Sequence, residues 1–226
     1  MIGIIFAMRE ELDEFIKLVD NIKEEKIYDL TFYKCNLFNK ELVLVESGVG
    51  KVNAARTTQI LIDKINPKYI FNVGVAGSIS DKVNVLDIVV SDKLVQHDFD
   101  ITAFNHVKGY IPNVGTYMET DKYLLDVSKN VNVDTNVYIG TIASGDIFIT
   151  EKNMSSKINT KFNALCVEME GASIAQVCTL SNIPYLVIRS ISDSPNRSNN
   201  KITYEEFLEK SSKIVSNYLT EIIKNI

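Results

Sequence analysis

Two short segments carry the side chains best suited to acid–base chemistry. Glu168 and Glu170 lie in the string Val-Glu-Met-Glu-Gly at 167–171, and Asp193 ends the string Arg-Ser-Ile-Ser-Asp at 189–193. Carboxyl groups beside apolar runs are candidates for general acids and bases, because burial and neighbouring charges shift their pKa values. No metal-binding cluster accompanies these side chains, so we expect neither a metal site nor a cofactor.

The surrounding apolar pattern predicts the elements that position these carboxyls. Residues 164–167 are typical of the end of a buried strand and 172–180 of a helix, so Glu170 should lie at a helix start. There the helix dipole would keep a carboxylate ionised, and it would accept hydrogen bonds from a bound polyol. Residues 185–188 indicate a parallel strand, with Asp193 beyond its carboxyl end, where open α/β sheets bind ligands. The alternative is that the glutamates are solvated cap charges and Asp193 opens a turn.

Length and composition favour one α/β domain over residues 1–226. The chain is 46% hydrophobic, enough for a substantial core, and no linker, repeat or low-complexity tract divides it. Its apolar runs are too short to span a membrane, and its start lacks the features of a signal peptide. Cys35, Cys166 and Cys178 lack CxxC spacing, which predicts reduced, buried thiols in a cytoplasmic protein. With a net charge of −5 and scattered lysines, neither nucleic acid nor a membrane surface is an expected partner.

The N-terminal segment supplies a further carboxyl. Residues 3–6 predict the first strand, and a helix follows whose apolar face includes Leu12, Phe15 and Val19. Glu11 falls in the first turn of this helix, just beyond the carboxyl end of the strand. That is the same sheet edge as Asp193, so the two side chains could share a pocket. First-turn glutamates are also common for purely structural reasons, because they suit the helix dipole.

Glycine-rich strings separate the next predicted elements. Strands over 29–37 and 41–46 form a hairpin, and Ser-Gly-Val-Gly-Lys at 47–51 leads into a helix over 52–65. This string lacks the full spacing of a phosphate loop, so we interpret it as a tight turn. A strand over 69–73 runs into Gly-Val-Ala-Gly-Ser at 74–78, which either lets backbone N–H groups approach a substrate or forms an ordinary loop.

The second half of the chain adds strands over 85–91 and 137–143 and a long loop over 105–120. His97 lies beside Asp98, but neighbours on a strand face opposite sides, which favours a structural role. Phe148 could stack on a flat ring, although a core position is the commoner role for such a residue. Thr203 and Glu206 have the spacing of a capping box at the start of a C-terminal helix.

Six strings in register together resemble the bacterial 5′-methylthioadenosine/S-adenosylhomocysteine nucleosidases. They are Gly-Ile-Ile-Phe-Ala-Met-Arg-Glu-Glu at 3–11, Ser-Gly-Val-Gly-Lys-Val at 47–52, Asn-Val-Gly-Val-Ala-Gly at 72–77, Asp-Ile-Val-Val-Ser-Asp at 87–92, Val-Glu-Met-Glu-Gly-Ala at 167–172 and Arg-Ser-Ile-Ser-Asp at 189–193. The resemblance implies a nucleoside phosphorylase-like, three-layer α/β/α sandwich, with a central mixed sheet flanked by helices, and usually a homodimer. It also implies release of adenine by hydrolysis of the N-glycosidic bond of methylthioadenosine, S-adenosylhomocysteine and 5′-deoxyadenosine.

The same resemblance implies roles for individual residues. Glu11 matches the residue that positions and activates water, Asp193 the general acid at adenine N7, and Glu170 the partner of the ribose hydroxyls. The other implied substrate positions are Met8 and Met169 near the sugar, Phe148 stacked on adenine, Ile149 at its edge through the backbone, Ser192 supporting Asp193, Arg189 holding Glu11 or the water, Phe104 and Pro112 from the second subunit, and Tyr204 closing the site. Burial should raise the pKa of Asp193 for its role as an acid, while Glu11 should stay ionised as the base.

Two positions depart from the family pattern. Val75 stands where the family usually has Ser, so a side-chain contact to water is lost and only the backbone amide remains. Tyr204 stands where a Phe is common, and its hydroxyl at the mouth of the alkylthio pocket would change the preference for the 5′ substituent.

Several alternatives remain open. A purine or uridine nucleoside phosphorylase of the same fold needs arginines to bind phosphate, and Asn72 stands where related phosphorylases commonly carry one, which favours hydrolysis. A futalosine nucleosidase stays open because the pocket around the 5′ substituent decides that preference. A non-catalytic nucleoside-binding protein is the third alternative, and the joint presence of Glu11, Glu170 and Asp193 argues against it.

Overall fold

The computed structural model describes residues 1–194 and 200–226, without the side chains of 200–204 and 206. The strands are β1 (Ile2–Phe6), β2 (Asp20–Ile27), β3 (Leu30–Leu37), β4 (Lys40–Glu46), β5 (Tyr69–Ser78), β6 (Ile88–Gln96), β7 (Met118–Glu119), β8 (Val137–Ser144), β9 (Ala164–Glu168) and β10 (Tyr185–Asp193). The helices are α1 (Arg9–Ile16), α2 (Lys51–Ile65), α3 (Lys122–Lys129), α4 (Lys152–Phe162), α5 (Gly171–Ser181) and α6 (Asn200–Asn225), with a 3₁₀ turn at Thr102–Phe104. None of the helices described is both long and apolar enough to cross a lipid bilayer.

The strands form one mixed sheet that is open at one end and closed at the other. β1 lies between β4 and β5 in parallel pairing, and the antiparallel strands β3 and β2 extend the open end. At the other end, β5 pairs with β10, β10 with β6, β6 with β8, and β8 with β9. The last residues of β5 pair with β9, so this series of strands closes on itself. The closure brings the carboxyl ends of β1, β5, β9 and β10 to a common region.

Alternating side chains divide the molecule into the layers of an α/β/α sandwich. In β1, Ile4 and Phe6 belong to the core that packs under α1 and α6, whereas Ile5 faces the core under α2 and α5. This alternation follows from the period of two residues along a strand. Gly3 allows α2 to approach closely, since a Cβ there would lie 2.7 Å from a methyl of Leu61. The prediction of a mixed sheet flanked by helices is therefore confirmed.

Several strands are longer than predicted or lie at other residues. The strand predicted over 69–73 continues to Ser78, so 74–78 is strand rather than loop. The strand predicted over 185–188 continues through Asp193, which ends the strand instead of following it. The strand predicted over 85–91 is displaced to Ile88–Gln96. In β5 and β10 small or polar residues continue the strand because the two strands pair with each other, and Gly77 also pairs with β9.

Other elements carry too weak a local signal to be predicted. β2 is almost entirely exposed and charged, β7 lies inside the predicted loop, and the short helices α3 and α4 were not expected. The C-terminal helix begins at Asn200, earlier than the predicted start at Thr203. The predicted capping box involves the side chains of Thr203 and Glu206, and both lie outside the described side chains. All three cysteines are buried, as expected.

Candidate active site

A cavity of ≈ 200 Å³ lies where β1, β5, β9 and β10 end. It brings together Glu11 from the start of α1, Glu170 from the start of α5 and Asp193 from the end of β10. The rest of its lining is mainly apolar and consists of Ala7, Met8, Val49, Val75, Ala76, Gly77, Ile147, Phe148, Ile149, Val167, Glu168, Met169 and Ser192. A concave apolar site with a few convergent polar groups is the common form of a small-molecule site.

Glu11 is held by backbone amides on both of its oxygens. Oε2 accepts hydrogen bonds from the N–H groups of Ala7 (3.0 Å) and Met8 (3.1 Å), and Oε1 accepts one from Val75 (2.9 Å). A Cβ at position 74 would lie 2.4 Å from Oε1, so glycine there is what lets the carboxyl reach β5. Burial raises the pKa of Glu11, while Arg189 and the amides act in the opposite direction. The expectation of an ionised base considered the helix start but not this burial, which favours proton uptake.

Glu170 is the N-cap residue of α5 and is 5% exposed. Its Oε1 accepts a hydrogen bond of 2.7 Å from the N–H of Gly50, in the turn before α2. Burial, followed by the charge of Glu168, raises the pKa of Glu170 to about 8. The prediction that the helix dipole keeps this carboxyl ionised neglected this burial, which acts in the opposite direction.

Glu168, which is part of the cavity wall, forms a buried ion pair with Arg189 behind it. The same Oε2 also accepts the N–H groups of Glu170 (3.1 Å) and Gly171 (2.7 Å), so the carboxylate closes the first turn of α5. Its Oε1 accepts from the hydroxyl of Ser144, which in turn accepts the N–H of Ala172 at 2.7 Å. Glu168 is thus neither solvated nor a simple cap charge.

Arg189 is 2% exposed and is not among the residues that line the cavity. Its hydrogen bonds run to Glu168, to the backbone oxygens of Asn72 and Ile188, and to the side-chain oxygen of Asn72. The predicted contact of Arg189 with Glu11 is therefore replaced by a contact with Glu168, and Arg189 reaches Glu11 only through its charge. Asn72 in turn donates to the backbone oxygen of Ile5 at 3.0 Å, so it anchors the arginine to the sheet.

Asp193 is 2% exposed and lines the cavity at the end of β10. Its Oδ1 accepts a hydrogen bond of 2.7 Å from the hydroxyl of Ser192. A Cβ at Gly77 would lie 3.1 Å from Oδ2, so a side chain there would crowd this carboxyl. The glycines of the string at 74–78 thus make room for the carboxyls of Glu11 and Asp193. The sequence analysis assigned this string to backbone contacts with a substrate or to a loop, and did not foresee this role.

The walls of the cavity contain most of the other predicted positions. Phe148 is 47% exposed and faces the cavity beside the buried Ile149, so it is not a core residue. Met8, Met169 and Val75 also line the cavity. An exposed aromatic face next to buried carboxyls suits a ligand with one flat ring and one polar ring.

Two predicted positions, Phe104 and Pro112, lie outside the cavity. Phe104 is 75% exposed, at the end of the 3₁₀ turn, and Pro112 is also exposed. Neither belongs to the cavity formed by this single chain. The side chain of Tyr204 lies outside the described residues.

Comparison with known proteins agrees with this geometry. The family model described as "Phosphorylase superfamily" matches residues 1–224. A 5′-methylthioadenosine/S-adenosylhomocysteine nucleosidase of Staphylococcus haemolyticus is 39% identical over 99% of this chain and 99% of its own length.

Solved structures with the same fold include two from Helicobacter pylori. One is a 5′-methylthioadenosine/S-adenosylhomocysteine nucleosidase in complex with a pyrrolopyrimidine–pyrrolidine compound, with a TM-score of 0.95, 35% identity, and coverage of 100% of this chain and 98% of that one. The other is a futalosine hydrolase, with a TM-score of 0.94, 35% identity, and coverage of 100% and 97%. By sequence and by fold, over almost its full length, the chain belongs to the phosphorylase superfamily and, within it, to the 5′-methylthioadenosine/S-adenosylhomocysteine nucleosidase family.

Proposed function

We propose that this chain hydrolyses the N-glycosidic bond of 5′-methylthioadenosine and S-adenosylhomocysteine, and also of 5′-deoxyadenosine, releasing adenine. The observation that carries the proposal is the meeting of Glu11, Glu170 and Asp193 in one buried cavity with the exposed face of Phe148. The relatives and a solved neighbour that share this fold are named for the same two substrates.

The chemistry assigns a different task to each carboxyl. Cleavage of an N-glycosidic bond develops positive charge on the sugar, so the departing purine must be neutralised and water must be held on the other face. Asp193 is the general acid that delivers a proton to purine N7. Glu11 is the general base for water, held in place by three backbone N–H groups that favour its charged form. Glu170 contacts the ribose hydroxyls.

The apolar walls provide the rest of the recognition. Phe148 stacks on the purine, the backbone of Ile149 contacts its edge, and Met8 and Met169 pack beside the sugar. Because Val75 carries no hydroxyl and its N–H is bonded to Glu11, water is held by Glu11 without help from this side chain. This lining favours a ligand with an uncharged sugar and a flat ring.

Hydrolysis is preferred to phosphorolysis because the cavity offers no cationic side chain to phosphate. Among the described residues that line it there is neither arginine nor lysine, and Arg189 is fully engaged with Glu168 and Asn72. Phosphate recognition normally relies on arginine or lysine.

The test is adenine release from methylthioadenosine with and without phosphate. We expect release of equal rate in both, with free methylthioribose as the second product. A rate that depends on phosphate, with accumulation of a sugar 1-phosphate, would show a phosphorylase instead, and no release at all would indicate a binding protein.

Futalosine is the second candidate substrate, because a futalosine hydrolase has the same fold at comparable identity. A direct comparison of kcat/KM for methylthioadenosine and futalosine separates the two candidates. We expect methylthioadenosine to be the better substrate.

We also propose that the active form is a homodimer. Apolar side chains are exposed on the segments around the cavity mouth and on the predicted donor loop: Val49, Val52, Phe104, Val107, Ile147 and Phe148. Apolar groups that cluster on a surface commonly mark a protein interface, and in the proposed dimer Phe104 and Pro112 complete the partner's site.

The buried, unpaired thiols suit a reducing compartment, and we place the reaction in the cytoplasm, as a step of methionine salvage.

A further inference from the structure

A closed ring of hydrogen bonds joins two loops at the cavity mouth. The backbone N–H of Lys51 donates to Oδ1 of Asp146 at 2.8 Å, and the N–H of Asp146 donates to Oδ2 of Asp98 at 3.0 Å. Oδ1 of Asp98 accepts from Nζ of Lys51 at 2.6 Å, which completes the ring. The lysine of the Gly-Val-Gly-Lys string, which resembles part of a phosphate loop, is therefore used for an internal ion pair.

The ring is more than a surface contact. The side chains of Lys51 and Asp98 are only 17% and 19% exposed, and Nζ of Lys51 donates a second hydrogen bond to Gln96 at 3.1 Å. Partial burial alone would raise the pKa of Asp98, but the bonds from Lys51 and from the N–H of Asp146 lower it, so the carboxylate is ionised at neutral pH. Pairs that are partly buried and have several hydrogen bonds hold their geometry better than exposed pairs.

Each side of the ring is adjacent to a part of the proposed site. Gly50, next to Lys51, donates its N–H to Glu170 at 2.7 Å. Asp146 is followed directly by Ile147, Phe148 and Ile149, which line the cavity. The segments are far apart in sequence, so local secondary structure does not fix their spacing. The ring is thus a direct link between the carboxyl that faces the sugar and the wall that faces the purine.

We propose that Asp98, acting with Lys51, is a positioning residue that couples the placement of Phe148 on the purine to the placement of Glu170 on the ribose. The inference rests on the proposed nucleosidase function. Asp98 does not line the cavity, so it acts through Asp146 and Gly50 rather than on the substrate.

The test is steady-state kinetics of the full-length protein with methylthioadenosine, on Asp98→Asn and Lys51→Met. Asp98→Asn keeps the size of the side chain but removes its charge, and Lys51→Met keeps the backbone N–H that binds Asp146. We expect either variant to lower kcat/KM by about 10–100-fold, since small displacements of reacting groups have effects of this size. Asp126→Asn, which breaks an exposed pair with Lys129, is the matched control and should leave kcat/KM unchanged.

A double-mutant cycle separates positioning from general loss of structure. If Asp98 acts through Gly50 and Glu170, its substitution should cost much less in a Glu170→Gln background than in the wild type, because contacting or linked residues are non-additive. Hydrogen exchange of the unliganded variants gives a readout without substrate: peptides covering 48–52 and 145–149 should exchange faster in both variants than in Asp126→Asn. If Asp98→Asn does not fold, Lys51→Met provides the same cycle.

The outcomes are distinguishable. Two results would overturn the positioning role: full additivity of Asp98→Asn with Glu170→Gln, or an unchanged kcat/KM in both ring variants. In either case, adenine release by the wild-type protein would still support the nucleosidase function. Absence of adenine release by the wild-type protein would overturn the function and the positioning role together. Faster exchange in both loops with a strongly non-additive cycle would support the inference.

Discussion

Glu11 and Asp193 are both buried carboxyls, and their immediate partners separate their proposed roles. Glu11 accepts N–H groups from Ala7, Met8 and Val75, which favour its charged form and oppose the rise of its pKa caused by burial. Asp193 lies beside the hydroxyl of Ser192, which can turn to suit either protonation state. Placing two acids in different surroundings is the usual way to make one a base and the other an acid.

Replacement of the proposed acid gives the first prediction. Asp193→Asn keeps the size of the side chain but cannot deliver a proton, so kcat for methylthioadenosine should fall by about 10²–10⁴-fold. Binding of an uncharged substrate analogue, measured by calorimetry, should weaken far less. A substrate whose base departs without protonation at N7 should restore turnover. Near-normal hydrolysis of methylthioadenosine by this variant would exclude Asp193 as the general acid.

The raised pKa of Glu170 gives a prediction on stability. In the folded chain this carboxyl keeps its proton up to about pH 8, whereas in the unfolded chain it loses it near its ordinary value. Between these values the unfolded state binds fewer protons, so the contribution of Glu170 to stability falls as the pH rises, by about 1.4 kcal/mol per pH unit at most.

Urea unfolding between about pH 5 and pH 8 measures this contribution. Glu170→Gln retains an acceptor for Gly50 and does not titrate, so the wild type should lose stability relative to this variant as the pH increases. The comparison also cancels the titration of Glu11, which is present in both proteins. Parallel curves for the two proteins would show that Glu170 is ionised throughout.

At the scale of elements, the start of α5 depends on the side chain that precedes it. Glu168 receives the N–H groups of Glu170 and Gly171 as well as Arg189, so one carboxylate caps the helix and neutralises a buried guanidinium. Helix ends that are buried need such partners for their unpaired N–H groups. The hydrogen bonds of Glu168 to the first turn of α5 therefore fix the position of Glu170.

Glu168→Gln should destabilise the fold strongly. The amide keeps the shape but leaves Arg189 buried without its counter-charge, and breaking a buried pair from one side costs roughly 3–5 kcal/mol. The free energy of unfolding from urea titration at neutral pH measures the loss. Glu25→Gln, which breaks the exposed pair with Lys34, should change it by about 1 kcal/mol or less. Equal effects of the two substitutions would mean that the buried pair adds no specific stability.

The elements that could be predicted are those whose local pattern and tertiary setting agree. The apolar runs of β1 and β10 and the turn before α2 were visible in the sequence, and Gly48 and Gly50 have the positive φ values that such a turn needs. Continuation of β5 through Gly74 and Gly77 was not visible, because it depends on pairing with β10 and β9. The ion pair of Glu168 with Arg189 was hidden for the same reason: burial of both residues follows from the closed end of the sheet.

At the scale of the whole molecule, the proposed dimer can be tested at Phe104. Its ring is 75% exposed in the single chain, and we expect Phe104→Glu to shift the protein from dimer towards monomer in sedimentation experiments. Activity should fall with it, because the partner's site would lose part of its wall. Phe38→Glu, at another exposed phenylalanine, in the turn between β3 and β4, should change neither property. A wild-type chain that sediments as a fully active monomer would contradict the proposal.

The closed end of the sheet also has a consequence for folding order. Glu11 comes from the first helix of the chain, and Asp193 from the end of its last strand, β10, which pairs with both β5 and β6. Contacts between distant segments form slowly, because bringing the ends of a long chain segment together costs entropy before the contacts form. During synthesis every other strand that the structure describes leaves the ribosome before β10 does. The cavity therefore cannot gather its carboxyls until the sheet has closed, and chains interrupted before β10 carry no premature nucleosidase site.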